Sequence, residues 1–220
     1  MIDVYFINVN VPRDSIDALA QLLTDEERAR ADRYRFAVDR RRSIVARAVT
    51  RQILAQSLGG VPGELQIVEG EYGKPELAGH EIEFNASHSG DLVALAFGRG
   101  TPVGIDVERR RTLRDPLAIA RRFFSEAEFA FISAASEISA AFFAVWTAKE
   151  AIVKANGKGI GAGELRGFTV PFGATQLHPV TSDWSVATIE PPLPGYHAAV
   201  AAGPGNEPIV PRELDVSSLL

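Results

Sequence analysis

The sequence predicts an α+β protein of two similar lobes, and three observations carry that expectation. Two capping boxes, Thr24-Asp25-Glu26-Glu27 and Ser125-Glu126-Ala127-Glu128, each place a hydroxyl N-cap three residues before a glutamate. Two long helical stretches stop on glycine, at Gly59-Gly60 and at Gly157, and each is followed by three strand-like segments. Between the two series lies Gly98-Arg99-Gly100-Thr101-Pro102, a turn cluster with no apolar residue, so lobes of 1–101 and 102–220 are expected. Side-chain identity between the halves is negligible, so the repeat is one of pattern, and the junction of two lobes is where ligand clefts commonly lie.

In chain order, Asp3–Val9 alternates as a strand does. The first capping box opens a helical stretch with a break near Phe36 to Asp39. Beyond it Val45, Val49 and Ile53 recur every four residues as an apolar stripe. Strands are expected at Leu65–Glu69, Ile82–Ala86 and Leu92–Phe97. The second half opens with a strand at Val103–Glu108, followed by Asp115-Pro116 as N-cap and first-turn proline. After the second capping box a long helix runs from about Ser139 to Asn156. Strands are expected near Phe168, at Trp184–Ile189 and at Tyr196–Ala201, and the Pro- and Gly-rich tail from Gly203 to Pro211 is expected to be loose.

Among the 220 residues, 46% are hydrophobic and 23% charged, which suits a globular fold and excludes collagen-like and disordered classes. There is no cysteine, which removes disulfides, thiolate metal sites, iron–sulfur ligation and a cysteine nucleophile. No apolar run reaches the roughly 18 residues of a membrane span. Met1-Ile2-Asp3-Val4-Tyr5 lacks the basic-then-apolar start of a secretory leader, so a cytoplasmic location and no membrane partner are expected. The net charge of −5 conceals a segment, residues 28–51, with nine arginines against two aspartates. The rest of the chain is acidic, so a nucleic-acid partner is not expected, whereas one anion-attracting segment is.

Several residues have types and spacings suited to chemistry. Asp106 and Glu108, two apart on a strand, share one face while Ile105 and Val107 take the other. Adjacent carboxylates repel, and a hard cation such as Mg²⁺ resolves the conflict; the alternative is the polar face of an amphipathic strand. Trp146, Glu150 and Lys154 form one helical stripe that could complete a three-carboxylate site, or be an i,i+4 ion pair on a surface. Lys158 lies in a glycine-rich stretch that follows a helix instead of opening one, so a phosphate loop is not expected. Ser87 lacks the flanking glycines of a nucleophile elbow. The histidines are scattered and offer zinc no ligand set. Arg40, Ser43, Arg47 and Arg51 project opposite the Val45 stripe, as a solvated basic face or as phosphate ligands.

Taken together, Gly73-Lys74-Pro75, Asn85-Ala86-Ser87-His88-Ser89, Gly104-Ile105-Asp106-Val107-Glu108, Arg122-Phe123-Phe124-Ser125 and Trp146-Thr147-Ala148-Lys149-Glu150-Ala151-Ile152-Val153-Lys154, followed by Gly157-Lys158-Gly159, occur in the order found in one family. The chain resembles the 4′-phosphopantetheinyl transferases of the surfactin-synthetase-activating (Sfp) type from about Val4 to Ala201. The resemblance implies a monomer of two α+β lobes related by a pseudo-twofold, which moves phosphopantetheine from coenzyme A to a serine of an apo acyl or peptidyl carrier protein, releasing adenosine 3′,5′-bisphosphate. It implies Asp106, Glu108 and Glu150 as Mg²⁺ ligands, with Asp106, Glu150 and Lys154 catalytic: Lys154 beside the pyrophosphate, Glu150 as acceptor of the serine proton. Arg30, Ser43, Lys74, Ser87 and His88 would take the adenosine and its 3′-phosphate, and Arg111 occupies a position that is basic in the family. Arg121, Arg122, Phe123 and Phe124 are implied at the carrier surface, with core packing the alternative for at least one phenylalanine. Glu27 departs from the pattern, standing where a relative carries lysine, and Arg28 or Arg42 would compensate. The rival readings are a metal-dependent coenzyme A pyrophosphatase and a non-catalytic carrier-binding relative.

Overall fold

A computed structural model describes residues 1–157, 164–205 and 207–219. The first half comprises β1 (Ile2–Asn8), α1 (Arg13–Ala20), α2 (Asp25–Asp32), α3 (Ala37–Leu58), the short hairpin strands β2 (Ile67–Glu69) and β3 (Pro75–Leu77), β4 (Ile82–Ser89) and β5 (Leu92–Arg99). The second comprises β6 (Val103–Arg109), α4 (Pro116–Phe123), α5 (Glu126–Ala134), α6 (Ile138–Asn156), β7 (His178–Pro179), β8 (Ser185–Ile189), β9 (Tyr196–Ala202) and β10 (Ile209–Glu213). The fold is α+β, and the order of strand, short helices, long helix and further strands recurs in both halves.

Two four-stranded sheets, ordered β10-β1-β5-β4 and β6-β9-β8-β7, lie face to face between α3 and α6. Strand periodicity divides β5 between two cores. Val93, Leu95 and Phe97 pack toward Val45, Val49 and Ile53 of α3, whereas Leu92, Ala94 and Ala96 meet Val103, Ile105 and Val107 of β6. The opposite face of β9, through Ala199 and Ala201, packs against α6. Gly104 sets how closely α6 approaches β6: a Cβ there would run into the backbone of Ala151 and Ala155. That close approach brings the Glu150–Lys154 turn of α6 beside Asp106.

Each half repeats one anchoring device. Thr24 and Ser125 accept from the amides of Glu27 and Glu128 at 3.3 Å, and the glutamates accept in return from the N-cap amides. Each capping glutamate also holds a cation from the following long helix: Arg51 Nε meets Glu27 at 2.7 Å, and Lys149 Nζ meets Glu128 at 3.0 Å. Each cation then donates to two carbonyls of the segment beyond its helix, Pro62 and Leu65 for Arg51, Leu165 and Phe168 for Lys149. Arg51 and Lys149 are 2% and 0% exposed, so each cation is held inside the protein against a carboxylate and two carbonyls.

The structure corrects four expectations. The tail is not loose throughout: Ile209–Glu213 pairs in parallel with β1, and Val216 is buried in the first half's core. Ile209 and Val216 supply apolar contacts, and Pro211 is tolerated because β10 is an edge strand. Phe168 is not in a strand; its carbonyl is held by Lys149 after a 3-10 turn at Glu164–Gly167. The strand starting at Ile82 runs on to Ser89, so Ser87 and His88 lie on a strand and the turn falls at Gly90, with φ 56°. Arg47 and Arg51 do not form a solvated face, since both turn inward to Glu27. Lys158 lies outside the described residues.

Candidate active site

The edge strands β4 and β6 meet where the halves join, and α6 crosses them there. Ser87, His88, Asp106, Glu108, Trp146, Glu150 and Lys154 line one cavity of about 320 Å³ at this junction. Asp106, 5% exposed, receives the Ser87 hydroxyl at 2.9 Å and the Lys154 ammonium at 2.6 Å, both on Oδ1. Its Oδ2 is buried without a hydrogen-bond partner. Lys154 also donates to Ser87 at 2.9 Å. Glu108 accepts on Oε2 from Ser89 at 2.7 Å and from Arg111 at 2.9 Å.

Burial raises the Asp106 pKa above the ordinary carboxylate value, and the nearby Glu108 charge adds to it against the opposing pull of Lys154 and Ser87. Glu150 is raised too, first by desolvation and then by the Asp106 charge. These carboxylates disfavour one another's ionised forms, which is the electrostatic condition a cation relieves. The buried, unpartnered Oδ2 is an oxygen donor with nothing yet to donate to. The residues therefore fit a hard divalent ion. Among the described residues, however, no three histidine, aspartate or glutamate side chains are already grouped to grip a metal. Lys154 and the two serines hold the carboxylates instead.

Two further cavities continue from this one along the first half. The nearer, about 210 Å³, is lined by Ala86 and His88 at one end and by Tyr34, Ser43, Arg47 and Pro75. The farther, about 720 Å³, shares Ser43, Arg47 and Pro75 and extends to Arg30, Glu27 and Glu69. Arg30 is half-exposed and paired with Glu69 at 2.5 Å. His88 is held below the usual histidine pKa, chiefly by desolvation and then by the charge of Arg42. Arg42 is fixed there by its bond to the Gly90 carbonyl at 2.7 Å and its pairing with Asp39 at 2.8 Å.

Most of the expected site residues thus line this string of cavities, from Arg30 through Ser43, Ser87 and His88 to the carboxylates, whereas Lys74 and Arg28 lie elsewhere and Phe124 takes the core alternative. Lys74 lines a separate cavity with Glu71, Tyr72 and Trp184, and its ammonium donates to the Val103 and Ala155 carbonyls at 3.1 and 3.3 Å. There it ties the first half to β6 and α6. Ser87 spends its hydroxyl on Asp106 and its lone pairs on Lys154 and the Val107 amide. Arg28 closes the turn before α2, donating to the Ala20 carbonyl at 3.2 Å, and so does not stand in for Glu27. Phe124 is 1% exposed and packs on Phe142 and Trp146, which removes it from any docking surface. Arg121, Arg122 and Phe123 remain accessible, each arginine lying over a ring, Arg121 over Phe129 and Arg122 over Phe123. Glu27 has its own explanation as the anchor of Arg51 and Arg47. Ser89, two residues beyond Ser87 on the same strand, also reaches the carboxylate pair through its bond to Glu108, a contact that strand spacing alone signals.

Comparison with known proteins identifies the family. Residues 11–99 match the family model for 4′-phosphopantetheinyl transferase, N-terminal, and residues 102–201 match that for the 4′-phosphopantetheinyl transferase superfamily. The chain is 32% identical over 209 residues to the 4′-phosphopantetheinyl transferase HetI of Nostoc sp., covering 92% of this chain and 88% of the relative. It is 40% identical over 161 residues to 4′-phosphopantetheinyl transferase psf-1 of Bacillus pumilus, covering 71% and 67%. With 4′-phosphopantetheinyl transferase Sfp of Bacillus subtilis it shares 28% over 225 residues, covering 98% and 97%. The two halves that build the cavity are thus both of one lineage, and the chain belongs to the 4′-phosphopantetheinyl transferase superfamily, as an enzyme that transfers phosphopantetheine to carrier proteins.

Proposed function

We propose that the donor is coenzyme A and that transfer to the serine of an apo acyl or peptidyl carrier protein takes place in the cavity of Asp106, Glu108, Glu150 and Lys154. The observation that carries this reading is the buried, unpartnered Asp106 Oδ2 beside two more carboxylates and a lysine. Asp106, Glu108 and Glu150 would hold Mg²⁺, which when bound neutralises charge on pyrophosphate oxygens. The string of cavities from Arg30 to Glu150 suits an elongated nucleotide, with Arg30, Ser43, Arg47 and His88 facing its phosphates and adenosine.

The serine oxygen forms a bond to the phosphorus bearing pantetheine, and the bond to the departing adenosine 3′,5′-bisphosphate breaks. Glu150 lines the same cavity as Lys154 and Asp106 and is placed to accept the serine proton, directly or through water. Lys154, 29% exposed and held at Asp106, is placed to donate to an oxygen gaining charge. Arg121, Arg122 and Phe123 offer an acidic carrier a basic face with an apolar contact. A monomer acting in the cytoplasm completes the reading, and nothing in it requires a nucleic acid. Among the described residues, no helix is long and apolar enough to cross a membrane.

The test mixes the protein with Mg²⁺, coenzyme A and a panel of apo carriers, and weighs the carriers. A phosphopantetheinyl mass gain is expected with wild type and its loss, by at least about 100-fold in rate, with Asp106→Asn. Release of free phosphopantetheine without carrier would instead identify a pyrophosphatase, and full transfer by Asp106→Asn would remove the carboxylate from the mechanism.

A further inference from the structure

Strands β4 and β6 belong to different sheets, yet a regular ladder joins them. Its rungs are side chains. Asn85 Oδ1 accepts from the Ile105 amide at 3.0 Å, Ser87 Oγ from Val107 at 3.3 Å and Ser89 Oγ from Arg109 at 3.1 Å. Alternation puts the three side chains on one face of β4, where they take every second amide along the free edge of β6. The rungs have a second use. A hydroxyl has one proton and two acceptor sites, so a serine that accepts from an amide still has its proton to give. Ser87 gives it to Asp106 at 2.9 Å and Ser89 to Glu108 at 2.7 Å. Each serine therefore accepts from one β6 amide and donates to the carboxylate of the residue just before it. Asn85 accepts from the amide after Gly104, which has no side chain to hold.

We propose that Ser89 is a positioning residue for the reaction, fixing the Glu108 carboxylate so that it faces the cation site. The inference rests on the reading of Glu108 as a metal ligand. Ser89 and Arg111 both bond Oε2, which leaves Oε1 for the cation. Ser87 cannot be isolated in the same way, because its hydroxyl also meets Lys154. Ser89 is the rung whose loss reports on a single carboxylate, in the way that outer partners orient metal ligands.

The experiment measures Mn²⁺ binding to the full chain by calorimetry, together with the Mg²⁺ concentration for half-maximal transfer and the melting temperature. Ser89→Ala is expected to weaken Mn²⁺ binding about tenfold and to raise the Mg²⁺ requirement by a like factor. Ser89→Thr, which keeps the hydroxyl on a strand, is expected to restore both, and every variant should still melt in one cooperative transition. Ser89→Cys keeps the volume with a weaker donor and serves if the alanine variant folds poorly; a loss of Mn²⁺ affinity is expected there too. Unchanged Mn²⁺ affinity in the alanine and cysteine variants, with a loss in Glu108→Gln, would overturn the positioning role alone. So would a threonine variant no better than alanine. Unchanged affinity in Glu108→Gln would overturn the metal reading itself, and this inference with it.

Discussion

The two halves hold their long helices with the same clamp but differ in what they leave unsatisfied. In the first, Glu27 takes Arg51, and Arg51 takes the Pro62 and Leu65 carbonyls. In the second, Glu128 takes Lys149, and Lys149 takes Leu165 and Phe168. Five residues further along α6, Lys154 meets Asp106, and there the bookkeeping fails to close: Oδ2 of Asp106 is buried with no partner. The same pair of residue types, lysine and carboxylate, thus serves scaffolding in one place and lines the proposed active site in the other. What separates them is saturation, because a fully bonded pair has no capacity left for a ligand.

The largest expected effect comes from breaking the saturated pair. Lys149→Met should destabilise the protein by about 3–5 kcal/mol in a denaturant titration, since it leaves Glu128 buried without its cation and two carbonyls without a donor. Arg51→Met should cost less, because Glu27 keeps Arg47 at 3.3 Å. Equal losses would show that the two clamps differ less than their surroundings indicate. Asp106→Asn is the counterpart: little change in the denaturation midpoint, with loss of transfer. A large loss of stability there would mean that the Lys154–Asp106 pair is scaffolding after all.

Much of this contrast was legible in the sequence and some of it was not. Both capping boxes could be read because they are local, with every partner within three residues. The Asp106–Glu108 face and the Trp146–Glu150–Lys154 stripe could be read because strand and helix periods fix them. The roles of Lys149 and Arg51 could not, since each depends on a glutamate in another helix and on carbonyls beyond its own helix. The tail was misread because Ile209 and Val210 gain their partners from β1, at the other end of the chain. The contacts of Lys74 were hidden for a similar reason: its carbonyl partners, Val103 and Ala155, lie on two elements of the other half.

An intermediate effect concerns acid. Burial works against the Glu27 charge, but the Arg51 hydrogen bond and the amide of Thr24 outweigh it, so its pKa lies below the ordinary 4.5. A carboxylate depressed in the native state contributes stability that is complete above its unfolded pKa and disappears as pH falls through the native value. Denaturation of wild type and Glu27→Gln should therefore differ most at neutral pH and converge below the ordinary glutamate value. A difference that is constant from neutral pH down into that acid range would show that Glu27 acts through packing or the cap, and not through its charge.

The smallest effect lies at the far end of the groove, where Arg30 is paired with Glu69 at 2.5 Å and both side chains are at least half exposed. An exposed pair of this kind is worth no more than about 1 kcal/mol, so a phosphate arriving at Arg30 displaces Glu69 at small cost. Glu69→Gln removes that competitor without altering the shape of the hairpin. It should tighten coenzyme A binding by a factor of about 2–5, by calorimetry at low salt, and leave stability unchanged within about 0.5 kcal/mol. The gain should shrink in 3′-dephospho-coenzyme A if Arg30 meets the 3′-phosphate, and should fade as salt screens the groove. An equal gain for both nucleotides would move Arg30 away from the 3′-phosphate. No gain for either would separate this end of the groove from nucleotide binding, while leaving the Asp106 cavity as the unsaturated member of the comparison.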